Sequence, residues 1–149
     1  RLEMTRRAVA TNDTFAVSDA EVFSVPFGGS NPSYAESSYT EATVRTLINA
    51  GTLIARPSLI IGDDLLPDLP RWRNYRSLLA AVRLVVVTRR GVDRSALPPE
   101  AASDTCVVEN PEIPVSSTTV RSRLQHGRSV RYLVPDAVYE YINTHQLYQ

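Results

Sequence analysis

Two short, nearly continuous apolar runs, Pro57–Asp64 (PSLIIGDD) and Arg83–Arg89 (RLVVVTR), most restrict what this chain can fold into. Both have strand length, and neither alternates apolar with polar as a strand with one wet face does. Each therefore reads as a strand buried on both faces. Between them, YRSLLAAV (Tyr75–Val82) has helical spacing, and two buried-type strands joined through a helix run parallel. TCVVEN (Thr105–Asn110) reads as a third strand. The expectation is an α/β fold with a mostly parallel sheet flanked by helices, in which ligands sit at the carboxyl ends of strands and at helix N-termini.

The remaining segments fit that frame. Leu2, Met4, Ala8 and Val9 give a helical stripe that stops near Asn12–Asp13, and TFAVSD (Thr14–Asp19) reads as a short strand. Val25–Ser37 holds two Gly, two Pro and several Ser and predicts an exposed loop. SYTEATVRTLINAG (Ser38–Gly51) predicts a helix capped by the hydroxyl of Ser38 or Thr40, with Val44, Leu47 and Ile48 inward and Gly51 as its stop. Gly91–Asp104 is a poorly specified loop. PDAVYEYINTHQLY (Pro135–Tyr148) predicts a helix opened by Pro135, with Val138, Tyr141 and Ile142 on one stripe. At 149 residues these elements suffice for one domain, residues 1–149.

Composition closes off several classes of partner. The 16 basic residues, all Arg, balance 16 acidic ones, so neither nucleic acid nor a membrane surface is an expected partner. One cysteine, Cys106, leaves no internal disulfide or multi-Cys zinc site; it lies in an apolar run and reads as packing rather than nucleophile. With no long apolar run and no signal-peptide pattern, a reducing cytoplasm is the expected location. His126 lies beside Gly127 at a helix end and His145 in the last helix, and neither forms a triad pattern with Ser or Asp. No metal ligand is assigned.

Three stretches carry candidate chemistry. PVSSTTVRSRL opens a helix with hydroxyls, Ser117 or Thr118 as cap, and places Arg121 in the first turn. A cation there opposes the helix dipole unless an anion is bound. Free N–H groups, hydroxyls and a guanidinium on one face suit a phosphate. The blander alternative is a plain cap with Arg121 turned to solvent, Glu109 or Glu112. In IIGDDLLPDLPRW, an aspartate after a strand and Gly can accept from a ribose hydroxyl or hold a metal through water, or else cap the next turn. Trp72 can stack on a planar ring or serve as half-buried packing. Tyr39 and Thr40 can donate to a carboxylate or simply start a helix.

In order and spacing, SYTEATVRTL, IIGDDLLPDLPRW, VVVTRRG, PVSSTTVRSRL and RYLVPDAVYEYINTHQLY resemble the bacterial nicotinate-nucleotide adenylyltransferases of the nucleotidyltransferase superfamily. The resemblance spans Arg1 to Gln149 and implies a Rossmann-like fold. The implied reaction is transfer of AMP from ATP to nicotinate mononucleotide, with Mg²⁺ assisting, giving deamido-NAD and pyrophosphate. By position, Ser117, Thr118 and Arg121 match the phosphate-binding S-S-T-x-x-R and the catalytic set. Gly62 and Asp64 match the G-x-D that faces ATP, and Arg89 an Arg following the next strand. Trp72 matches the aromatic on the nicotinate ring, Tyr39 and Thr40 the S-Y-T segment near its carboxylate. Arg73, beside them, stands where many relatives carry a second aromatic, and the stretch before Ser38 is longer than in the family.

The family's H-x-G-H segment, which precedes the helix at Leu2–Val9, does not occur within residues 1–149. The chain thus resembles the C-terminal three quarters of such an enzyme, without its first strand or strands. The expectation is that these residues alone are inactive and the full-length parent is active. A phosphopantetheine-directed nucleotidyltransferase and a non-catalytic nucleotide-binding α/β module are the rivals, and the residues leave homo-oligomerisation open.

Overall fold

The computed structural model describes residues 1–22, 39–89, 91 and 97–149. Its elements are α1 (Leu2–Val9), α2 (Thr40–Asn49), β1 (Ser58–Gly62), a 3₁₀ helix (Asp63–Arg71), α3 (Tyr75–Ala81), β2 (Arg83–Thr88), β3 (Cys106–Glu109), α4 (Ser117–Gln125) and α5 (Asp136–Thr144). They form two compact units, one of Ala20–Glu112 and the other of Arg1–Asp19 with Ile113–Gln149.

In the Ala20–Glu112 unit, β1, β2 and β3 form a parallel sheet in that order, with Gly62 beside Val87 and Thr88 beside Glu109. Side chains alternate across a strand, so Leu59, Ile61, Leu84, Val86 and Thr88 share a face. That face packs on Leu66 and Leu69 of the 3₁₀ helix, Leu79 of α3, and Leu97 and Ala101 beyond β2. A second cluster joins Val44 of α2 to Leu78 and Val82 of α3, which seats α2 on α3. Pro67 and Pro70 lie inside the 3₁₀ helix and, without N–H groups, keep the segment from becoming a longer α-helix. In the other unit, Leu124, Val130, Val138 and Ile142 form the core, Met4 of α1 packs on it, and the Arg7 guanidinium stacks 4.7 Å from the Tyr141 ring.

The expected helices and the three expected parallel strands are present, with four corrections. Thr14–Asp19 is irregular rather than a strand, because its apolar alternation finds no ladder partner among the described residues. β1 is not buried on both faces: Ile60 is 67% exposed, and Val108 of β3 is 43% exposed on the same side. Cys106, on that side too, is exposed rather than packed. The N-cap of α2 is Tyr39, with no side-chain cap bond, so Thr40 is already helical. Ser38 and the Val25–Ser37 loop lie outside the described residues. Of the loop expected over Gly91–Asp104, Gly91 has φ +80° and Leu97 is buried.

Leu69, fully buried, anchors the 3₁₀ helix that ends beside Trp72. Leu69→Ala should destabilise the protein by about 2–5 kcal/mol, read as a lower midpoint at unchanged slope in urea unfolding.

Candidate functional site

Parallel pairing of β1 with β2 sets their carboxyl ends side by side. Adjacent side chains leaving a strand point opposite ways, and this sorts the two aspartates. Asp63, continuing the register toward Thr88, accepts from the Thr88 hydroxyl at 2.6 Å. Asp64 is exposed, with no hydrogen bond among the described residues, and its carboxylate lies where a side chain on Gly62 would begin. A Cβ at Gly62 would displace that carboxylate. Neither aspartate caps the 3₁₀ helix, whose N-cap is Gly62. Arg89 follows Thr88, exposed and without an ion pair among the described residues.

A second group gathers where α2 begins and the 3₁₀ helix ends. The Arg73 guanidinium lies 4.6 Å from the centre of the Tyr39 ring, and Tyr39 is 42% exposed. The cation thus stacks on an aromatic at the N-cap of α2. Trp72 is half-buried and packs against both hydrophobic clusters of its unit, so packing is one of its roles and its partly open ring leaves room for another. Thr40, half-buried, makes no side-chain hydrogen bond among the described residues.

Glu41 holds this group together. Its carboxylate pairs with Arg45, accepts from Ser77 at 3.3 Å, and lies 3.5 Å from the Asn74 amide, so one α2 side chain ties down the start of α3. Asn74, at φ +54°, is the N-cap of α3 and directly follows Arg73. Burial pushes the Glu41 carboxyl up, but the hydrogen bonds from Arg45, Asn74 and Ser77 and the Arg45 charge outweigh it and hold the pKa below the ordinary carboxylate value.

The third group belongs to the other unit. Ser116, not Ser117 or Thr118, caps α4: its Oγ accepts from the Thr119 amide at 3.1 Å. The Ser117 and Thr118 hydroxyls, both exposed, have no bond among the described residues, and their N–H groups stand at the open end of the helix. Arg121 is the fifth residue of α4, one residue further in than a Ser117 cap would place it, and in line with Ser117 at i, i+4. It is half-buried and enters no ion pair or hydrogen bond among the described residues.

The structure thus brings Gly62, Asp64 and Arg89 to adjacent strand ends, Tyr39 onto Arg73, and Ser117 and Thr118 to one helix end below Arg121. Sequence reasoning opened α4 at Ser116 but named Ser117 or Thr118 as its cap, and it gave Thr88 and Glu41 no part in the site. Only Ser116 carried a local signal, a hydroxyl three residues before Thr119.

An open parallel β-α-β sheet with polar groups at its carboxyl ends is the framework of nucleotide-binding α/β proteins. A family model described as cytidylyltransferase-like matches residues 1–123. A probable nicotinate-nucleotide adenylyltransferase of Roseiflexus sp. (strain RS-1) is 39% identical over 154 aligned residues, covering 100% of this chain and 71% of the relative. One of Herpetosiphon aurantiacus is also 39% identical, over 99% of this chain and 72% of the relative. The chain belongs to the nicotinate-nucleotide adenylyltransferases of the cytidylyltransferase-like family. In fold it is similar to Plasmodium falciparum nicotinic acid mononucleotide adenylyltransferase, solved complexed with APC, at a TM-score of 0.58 and 18% identity. That match covers 78% of this chain and 61% of the Plasmodium chain.

Because the pKa of Glu41 is lowered by folding, its contribution to stability is complete above the unfolded value of 4.5 and is lost as pH falls through the lower folded value. The stability difference between wild type and Glu41→Gln should be level above about pH 5.5 and shrink in more acidic solution, measured by urea unfolding at stepped pH.

Proposed function

We propose that the protein is an adenylyltransferase of NAD biosynthesis, joining the AMP of ATP to nicotinate mononucleotide to give deamido-NAD and pyrophosphate. The reading extends to this chain what its relatives are named for. The observation that carries it is the amino end of α4, where the hydroxyls and N–H groups of Ser117 and Thr118 stand without partners and Arg121 has no counter-ion among the described residues. An arginine near the positive end of a helix dipole and without a counter-ion is a standing cost that a phosphate removes. On this reading the two units are parts of one nucleotidyltransferase domain working in the cytoplasm. No helix among the described residues is long and apolar enough to cross a membrane.

In the reaction an oxygen of the acceptor phosphate forms a bond to the α-phosphorus of ATP. The bond from that phosphorus to the bridging oxygen of pyrophosphate breaks, and the electron pair leaves with the pyrophosphate. No covalent enzyme intermediate is needed, so catalysis is positioning and charge neutralisation. Ser117, Thr118 and Arg121 would hold phosphate oxygens through N–H, O–H and guanidinium donors and meet charge as it moves to the leaving group. Gly62, Asp64 and Arg89 would face ATP, with Asp64 free to accept from a ribose hydroxyl because Asp63 is already engaged. Tyr39, Thr40, Trp72 and Arg73 would receive the acceptor: Trp72 against the nicotinate ring, Thr40 and Arg73 toward its carboxylate. Mg²⁺ would enter with the triphosphate and offset its charge. Among the described residues no three His, Cys, Asp or Glu side chains gather as a metal cage, while Asp64 offers the single carboxylate that a hydrated, phosphate-bound Mg²⁺ can use.

Calorimetric titration should show binding of ATP and of nicotinate mononucleotide, with phosphopantetheine inert. Arg121→Ala should weaken ATP binding by about 10- to 100-fold, the worth of a charge-assisted contact, with little change in melting temperature. Unchanged ATP affinity in Arg121→Ala, or binding of phosphopantetheine in place of nicotinate mononucleotide, contradicts the proposal.

A further inference from the structure

Thr88 is polar yet fully buried, at the end of β2, and the nucleotide reading gives it no role. Its backbone is fixed in the ladder: it pairs with Glu109, and its carbonyl accepts from the Asn110 amide at 2.8 Å. Its hydroxyl oxygen lies 2.6 Å from Asp63 Oδ2 and 2.9 Å from the Gly91 carbonyl oxygen, so its proton is offered to acceptors on two different turns. One turn leaves β1 and carries Asp64 next to Asp63. The other leaves β2 and begins with Arg89.

We infer that Thr88 is a positioning residue for the ATP side of the reaction, its hydroxyl locking together the two strand-end turns that present Asp64 and Arg89. The inference rests on the proposed adenylyltransfer for what those two side chains touch, but not for the lock itself. A buried hydroxyl is an unfavourable choice at a position whose neighbours on the same face, Leu84 and Val86, are apolar, unless its hydrogen bonds are used. The Asp63 carboxylate needs a donor where it is drawn against the sheet end, and no donor other than Thr88 reaches it among the described residues. Without that donor Asp63 turns outward to water. Asp64, whose carboxylate sits over Gly62 only in the present turn geometry, moves with it. The Gly91 turn, at φ +80°, loses its tie to the strand in the same step. Both groups are thus set by one proton donor that itself touches no substrate.

The test compares Thr88→Val, which keeps the shape and removes the hydroxyl, with Thr88→Ser, which keeps the hydroxyl. Steady-state kinetics of adenylyl transfer should show the KM for ATP raised about tenfold in the Val variant, the KM for nicotinate mononucleotide within about twofold, and Ser restoring the ATP value to within about threefold. An unchanged KM for ATP in Thr88→Val, or equal effects of Val and Ser, overturns the inference. Should Thr88→Val not fold, Asp63→Ala, made at the partly exposed end of the bond, is expected to raise the same constant, and an unaltered one overturns it. If residues 1–149 alone transfer no adenylyl group, the adenylyltransfer reading is judged by the ATP and nicotinate mononucleotide titrations, and the lock is read from amide hydrogen exchange. Faster exchange at Asp64 and at Gly91 in Val but not Ser supports it, and equal exchange in wild type and Val refutes it.

Discussion

The pairing of β1 with β2, parallel and with Gly62 beside Val87, is the constraint on which the candidate ATP face depends. Parallel pairing puts both carboxyl ends at the same edge, and register decides what stands there. One residue beyond Gly62 comes Asp63, level with Thr88. A slip by one residue would turn the aliphatic face outward and also separate that pair. Burial of Leu59, Ile61, Leu84 and Val86 against the 3₁₀ helix and α3 therefore does double duty: it stabilises the sheet and aims the polar groups at its end.

Helix placement follows the same economy. The proline-interrupted 3₁₀ helix carries the chain from the end of β1 to Trp72 while burying Leu66 and Leu69. α3 then returns it to β2. α2 is held against α3 by Val44, Leu78 and Val82 on the apolar side and by Glu41 on the polar side. The rings and donors proposed for the acceptor are thus attached to two helices whose contact is fixed twice, which limits the freedom lost on binding. In the other unit, the position of the α4 cap matters as much as the existence of the helix. With Ser116 satisfying the Thr119 amide, the next two residues keep their hydroxyls free.

Much of this was legible in the residues. LIIG and LVVV announced strands because such runs have few other uses at that length, and Gly51 announced the end of α2, which its φ of +71° uses. TFAVSD misled because alternation specifies a strand only when a neighbour supplies the ladder. β1 misled because an apolar run looks the same whether its second face is covered or, as at Ile60, open. Ser116, Ser117 and Thr118 have nearly equal cap propensity, so only the backbone, extended at Ser116 and helical from Ser117, selects the cap. The division of labour between Asp63 and Asp64, and the role of Thr88, were out of reach because they are consequences of register between segments far apart in the chain.

The central claim is that ATP meets this chain at the carboxyl ends of β1 and β2. The most direct measurement follows backbone amide resonances of the ¹⁵N-labelled protein as ATP and Mg²⁺ are added. Shifts are expected at Gly62, Asp64 and Arg89 with one shared dissociation constant, and none at Ser58 and Arg83, at the opposite ends of the same strands. Resonances that move at Ser58 and Arg83 while Gly62, Asp64 and Arg89 stay still would contradict it.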